Sequence, residues 1–176
     1  HKAISTLRAD GLAIDGVPGE GYRLACDDDS LTAAGVGALL QTRCIGREIV
    51  VVPSITSTNT VMKEQYLDRP HGFVLAAEEQ TGGKGRKGRA FLSPKGKGLY
   101  LSALLRPELS PAEVTDITAW VAVAVCDGIQ ASCGVRPRIK WTNDLVLNGK
   151  KLCGILTEIA LEGESHALDY LVPGIG

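Results

Sequence analysis

The dipeptide Asn148-Gly149 stands between two apolar runs, Asp144–Leu147 and Leu152–Leu161, and it constrains the fold more than any other feature of the chain. An Asn-Gly pair tolerates the positive φ angles that a two-residue hairpin turn demands, so the flanking runs are expected to pair antiparallel. That pairing speaks against a doubly wound sheet, in which each strand is followed by a helix. Glu48–Val52 is β-branched and continuous enough for a buried strand. Phe73–Ala77 and Leu99–Leu105 read as strands, Arg138–Trp141 as the strand before the hairpin, and a turn at Gly163 introduces the last one.

Helical signals fall between these runs. Leu31–Leu40 is rich in Ala and Leu, and Ser57-Thr58-Asn59 opens a helix over residues 60–67. Ser110-Pro111-Ala112-Glu113 is a capping box with proline at the first helical position. Val114, Ile117, Val121 and Val125 follow at helical spacing, which predicts one continuous helix. The order of strand, helix, two strands, helix and hairpins gives an α+β fold, a mixed sheet layered with helices.

The first 27 residues have a different character. His1–Gly11 reads as a helix with Ile4 and Leu7 on one face and Gly11 as its stop. Leu12 and Ile14, the turn Val17-Pro18-Gly19-Glu20-Gly21 and Tyr22–Leu24 then form a small hairpin. A helix followed by such a hairpin is half of a winged helix. Asp27-Asp28-Asp29 before the cap-forming Ser30 marks a hinge. The expected organisation is residues 1–27 as the C-terminal part of a winged helix-turn-helix domain and 28–176 as the N-terminal part of a catalytic domain. A first residue that is not Met and an end inside a Gly-Ile-Gly turn lead us to expect a fragment.

Composition excludes several classes. Nineteen basic residues against twenty acidic ones leave a net charge of −1, so no general attraction to polyanions or membranes follows. No apolar run approaches the ~20 residues of a membrane span. The five cysteines, Cys26, Cys44, Cys126, Cys133 and Cys153, lack the spacing of a zinc site or a disulfide framework, which fits a soluble protein of the reducing cytoplasm. The lone thiols and His166 are given no chemistry.

Three polar constellations remain. In Gln80-Thr81-Gly82-Gly83-Lys84-Gly85-Arg86-Lys87-Gly88-Arg89, glycines permit close backbone approach while cations neutralise phosphate or carboxylate. The same composition also suits a solvated hairpin tip, and it is not a Walker loop. Lys140-Trp141-Thr142-Asn143-Asp144 puts a lysine and an aromatic ring on a strand with Asn and Asp at its end, suited to an anionic oxygen, a base or a metal, or simply to a turn. Lys151 enters an apolar strand in Lys151-Leu152-Cys153-Gly154-Ile155-Leu156, where Gly154 leaves room. Burying that lysine is costly unless an anion meets it or it snorkels to water. Ser57-Thr58-Asn59 is sufficiently explained as a helix N-terminus, which also receives anions.

Taken in order, Ser57-Thr58-Asn59, Gln80-Thr81 with the loop at 83–89, residues 140–145 and residues 151–156 resemble the successive motifs of biotin protein ligases. The opening helix and hairpin look like the end of the DNA-binding domain of the bifunctional ligase-repressors. The resemblance implies that biotin carboxylate attacks the α-phosphate of ATP to give biotinyl-5′-AMP, with transfer to a lysine of a biotin carboxyl carrier protein. It implies catalytic roles for Arg86 and Lys151, and a biotin site of Ser57, Thr58, Asn59, Gln80, Gly83, Lys84, Gly85, Arg86, Lys151 and Gly154. Arg86, Lys87, Gly88, Arg89, Trp141, Asn143 and Asp144 match nucleotide-binding positions, with Mg2+ accompanying the ATP phosphates and no protein-only metal site. Lys2, Thr6 and Arg8, with the wing at 17–21, match a surface for operator DNA, and a homodimer is compatible.

Lys84 stands where the family has arginine and Thr142 where it has proline, which touches binding strength more than reaction type. The nearest rivals are a lipoate-type acyl ligase and a noncatalytic, biotin-sensing DNA-binding repressor.

Overall fold

The Asn-Gly turn forms as expected. In the computed structural model, Asn148 and Gly149 have φ of 50° and 77° and join β7 (Asp144–Leu147) to β8 (Lys150–Leu161) in an antiparallel hairpin. The structure describes residues 2–9, 13–24, 31–109, 111–114, 116–163 and 167–176. The helix stop at Gly11, the hinge at Asp27–Ser30, the cap at Ser110 and residues Cys26 and His166 lie outside the described residues.

β3 (Ile49–Val52), β4 (Val74–Ala77), β5 (Tyr100–Ala103), β6 (Arg138–Lys140) and β9 (Leu168–Ile175) complete a seven-stranded sheet of order β3-β4-β5-β9-β8-β7-β6. Only β3 and β4 run parallel; the other neighbours are antiparallel. The sheet is therefore mixed, as the strand order predicts. β3 corrects one expectation: it is half-buried rather than buried, because it is an edge strand with β4 as its sole sheet partner. β4, second in the order, is buried along its whole length.

Two helices cover the sheet. α3 (Thr58–Gln65) is capped by Ser57 and sets Met62 into a cluster with Phe73, Leu75, Leu104 and Val172. α5 (Ile117–Cys133) packs Ala122 and Cys126 on Leu145, Cys153 and Ile155. Along β8 and β9, Glu158 and Gly174 meet Asn59 of α3, whereas Ile155, Thr157 and Ile175 meet α5. Since successive residues of a strand point to opposite faces, the two helices take opposite sides of the sheet. α5 ends at Gly134, whose φ of 70° suits the left-handed cap and whose N–H reaches the Gln130 carbonyl.

The predicted continuous helix from residue 111 is instead broken into α4 (Pro111–Val114) and α5. Asp116 N–H closes the first piece on Glu113 O, and Asp116 O starts the second. Asp116 stands at the N-cap of α5 with φ −88° and ψ −10°, and its side chain makes no capping hydrogen bond. α2 (Ala33–Leu39) is capped by Thr32, whose hydroxyl accepts from the Gly35 N–H.

At the N-terminus, α1 (Lys2–Ala9) precedes β1 (Ile14–Val17) and β2 (Gly21–Leu24), paired antiparallel across a turn with Gly19 and Gly21 at positive φ. The Arg8 guanidinium donates to the Ile14 carbonyl and lies over the Tyr22 ring, tying the helix to the hairpin. Among the described residues, no helix is long and apolar enough to cross a membrane.

Candidate functional site

The basic glycine loop folds back on itself. Gln80 N–H donates to Ser93 O, Phe91 N–H to Gly83 O, and Gly85 N–H to Arg89 O. A Cβ at Gly83 would collide with the Phe91 carbonyl and lie 2.8 Å from Ser93 Oγ, so glycine is required there by close packing. Lys87, with φ 58° and ψ 35°, is a non-glycine residue in the left-handed region at the exposed tip.

The tip is also anchored across the sheet. Arg86 Nη1 donates to Thr142 Oγ1 at 2.8 Å and to Asn143 Oδ1 at 3.1 Å. Asn143 can receive it because its amide nitrogen is committed to Ile155 O, and its own carbonyl accepts from Ile155 N–H. Arg86 thus ties the loop tip to the β6–β7 turn.

Beneath the loop lies a cleft open to solvent, with an interior volume of about 50 Å³. Ten of the expected site residues line it: Ser57, Thr58, Asn59, Gln80, Lys84, Gly85, Arg86, Asn143, Lys151 and Gly154. Four sequence motifs, separated by up to about a hundred residues, therefore converge. Gly83, Lys87, Gly88, Arg89, Trp141 and Asp144 do not line it, and Trp141 is 75 % exposed.

Lys151 is not buried, contrary to the reading of its strand. It occupies the exposed start of β8, its ammonium 2.8 Å from Asp144 Oδ1 and 5.5 Å from the centre of the Phe91 ring. Asp144 is therefore the anion that meets Lys151. Gly154 leaves room, and Lys151 fills it: a Cβ there would stand 3.0 Å from Lys151 Nζ and from Phe91 Cε2.

The opposite wall is neutral. Gln80 Oε1 accepts from the Thr58 N–H at 2.8 Å, and its amide donates to Ser93 Oγ. Behind it, the Asn59 amide donates to Leu156 O and Glu158 Oε2, and Glu158 also receives Lys63. Burial pushes the Glu158 carboxyl up, but the hydrogen bonds from Lys63 and Asn59 outweigh it and hold the group below the ordinary carboxylate value. Its contribution to stability is accordingly complete above the unfolded-state value of about 4.3 and is lost as pH falls through and below it. We expect the denaturation midpoint of the parent to exceed that of Glu158→Gln at pH 7 and the gap to shrink as the pH falls below about 4.3; a constant gap in a pH series would refute the assignment.

Phe91, Ile155, Leu156 and Gly174–Gly176 also line the cleft and escaped the sequence reading. Cys153 is buried nearby with its thiol pushed up to about 11, mainly by burial, which keeps it unreactive near neutrality. Of the residues expected to meet DNA, Lys2 and Arg8 are exposed on α1, and Thr6 donates to Lys2 O. Among the described residues no group of three or more His, Cys, Asp or Glu is placed to hold a metal ion.

A family model described as "Biotin/lipoate A/B protein ligase family" matches residues 51–172. The bifunctional ligase/repressor BirA of Bacillus spizizenii is 35% identical over 176 residues, covering 99% of this chain and 54% of that protein. The Escherichia coli protein of the same name is 34% identical over 176 residues, covering 100% of this chain and 53% of that protein. The biotin protein ligase from Aquifex aeolicus in complex with biotin and ATP superposes with a TM-score of 0.61 at 30% identity, covering 73% of this chain and 51% of that one. The chain spans about half the length of the curated relatives it matches.

Proposed function

The chain belongs to the biotin/lipoate A/B protein ligase family, and from that premise we propose that the protein carrying it is an ATP-dependent biotin protein ligase. The observation that carries this reading is the polarity of the cleft. Three cations, Lys84, Arg86 and Lys151, stand at its mouth, and the neutral pair Thr58 and Gln80 lies within. A ligand with a neutral hydrogen-bonding head and a carboxylate tail matches that gradient, and biotin has both.

In the first step a biotin carboxylate oxygen bonds to the α-phosphorus of ATP as the bond to the bridging oxygen breaks, releasing pyrophosphate. In the second, the amine of an acceptor lysine attacks the acyl carbon, loses a proton and displaces AMP. Both reactants of the first step are anions, and Arg86 and Lys151 neutralise them as charge shifts in transfer. Asn143 and Thr142 hold Arg86 in place for that task. Lys87, Gly88 and Arg89 would meet the outer phosphates. Mg2+ would enter with those phosphates, since the Asp144 carboxylate is already engaged by Lys151. The acceptor is a biotin carboxyl carrier protein in this reading.

A second role, operator binding, is supported by α1 followed by the β1–β2 hairpin within residues 1–27, the pattern of the end of a winged helix. Lys2, Thr6 and Arg8 would contact phosphates there, and residues 28–176 would form the catalytic part.

The decisive measurement is pyrophosphate exchange into ATP by the full-length protein with biotin, lipoate or neither. Exchange that requires biotin is expected. Exchange with lipoate would transfer the protein to the lipoate branch, and a folded protein silent with both would be a sensor.

A further inference from the structure

Five side chains behind the cleft, Lys63, Glu158, Asn59, Ser102 and Thr58, form one hydrogen-bonded chain, and its donors and acceptors follow from what each group can offer. Asn59 Nδ2 faces three acceptors, Leu156 O at 3.0 Å, Glu158 Oε2 at 2.9 Å and Val172 O at 3.4 Å. Turning the amide over would set its oxygen against all three, so Oδ1 must be the atom that faces Ser102. The Ser102 hydroxyl, fully buried, lies 2.6 Å from that oxygen and 2.7 Å from Thr58 Oγ1. It has one proton, and Asn59 Oδ1 can only accept; Ser102 therefore donates to Asn59.

Between Ser102 and Thr58 a proton must then come from Thr58, because otherwise two hydroxyl oxygens would face each other at 2.7 Å with no proton between them. Thr58 spends its single proton on Ser102. Gln80 Oε1, 3.1 Å from Thr58 Oγ1, is left to the Thr58 backbone N–H at 2.8 Å. Thr58 is 3% exposed and lines the cleft, and with its proton spent the hydroxyl can offer a ligand that reaches it lone pairs only. Gln80 Oε1 beside it is an acceptor as well.

We propose that Ser102 and Asn59, backed by Glu158 and Lys63, are positioning residues that fix the Thr58 hydroxyl as an acceptor toward the cleft, so that the ligand group meeting it must be an N–H donor. Resting on the biotin reading above, that donor is a ureido nitrogen. The relay excludes a carboxylate or carbonyl oxygen from this wall, and so sets which end of the ligand enters first. Without Ser102, the Thr58 proton turns to Gln80 or into the cleft, and the wall loses its fixed polarity.

The test is a double-mutant cycle in the full-length protein, reading the KM for biotin in pyrophosphate exchange. Ser102→Ala should raise KM about 10- to 30-fold, with the loss on KM rather than kcat, and Thr58→Val should raise it at least as much. If Ser102 acts through Thr58, the double variant is no worse than Thr58→Val alone, and Ser102→Thr, which keeps the hydroxyl, restores KM to within about threefold of the parent. Additive losses would mean that Ser102 merely supports the sheet, and would overturn the relay while leaving the ligase reading intact. A parent protein without biotin-dependent exchange would remove both. Should Ser102→Ala fail to fold, Ser102→Cys, similar in size but a poor donor, runs through the same cycle with the same criteria.

Discussion

Replacing Lys151 by alanine in the full-length protein is expected to lower biotin-dependent pyrophosphate exchange by about 10²- to 10³-fold without unfolding it. The two halves of that expectation have separate grounds. The Lys151–Asp144 pair spans 2.8 Å, but the lysine side chain is 48% exposed, and ion pairs at such sites contribute only about 0–1 kcal/mol to stability. The catalytic loss is expected to be larger because, in the proposed reaction, the cation meets two anions that must be brought together, and removing one such stabilising group typically costs about 10²–10³ in rate.

Asp144 sharpens the experiment. It holds the ammonium at the cleft, beside the Phe91 ring. Asp144→Asn keeps the shape and removes the competing charge, so its loss should be much smaller than that of Lys151→Ala. Lys151→Arg keeps the charge, but its planar fork does not fit the slot between Gly154 and Phe91, where Nζ already lies 3.0 Å from the position a Gly154 Cβ would take. Lys151→Ala with more than a third of parental exchange would refute the role.

The hairpin and the site motifs were legible in the sequence for a common reason: each is written in residues whose chemistry has few alternatives. Asn148-Gly149 has one good structural use, and four polar motifs in fixed order have few. Burial was harder to read. Lys151 is assigned to an apolar strand because Cys153 and Ile155 follow it, yet β8 begins at the turn, and its first three residues are exposed before it enters the core. Glu48–Val52 reads as a buried strand, but β-branched residues serve equally well at a half-buried edge, and edge position depends on pairings that no local pattern encodes. Ser102 is one polar residue in an apolar run, and its partners Thr58 and Asn59 lie 44 and 43 residues away. Nothing at either end announces the contact.

Gly174→Ala should be among the most destabilising single substitutions in the seven-stranded sheet, by about 3 kcal/mol. The reason is room rather than backbone freedom: the added Cβ would lie 2.8 Å from Asn59 Cγ and closer still to Oδ1. Overpacking of a buried site usually costs about 1–3 kcal/mol because neighbours can shift. Asn59 cannot shift freely, since its amide is held by Leu156 O, Glu158 and Ser102, and displacing it leaves buried polar groups unpaired at roughly 1–3 kcal/mol each. Ser102 is also the direct strand partner of Gly174, so the same methyl disturbs both members of the network. Urea denaturation of the full-length variant measures the loss. The mechanism makes a second demand: Asn59→Ala alone should destabilise, but Gly174→Ala added to it should cost under about 1 kcal/mol, because the methyl then occupies the space the amide has vacated. A Gly174→Ala protein within about 0.5 kcal/mol of its parent, or equal costs in both backgrounds, would show that Asn59 is not the rigid wall of the site.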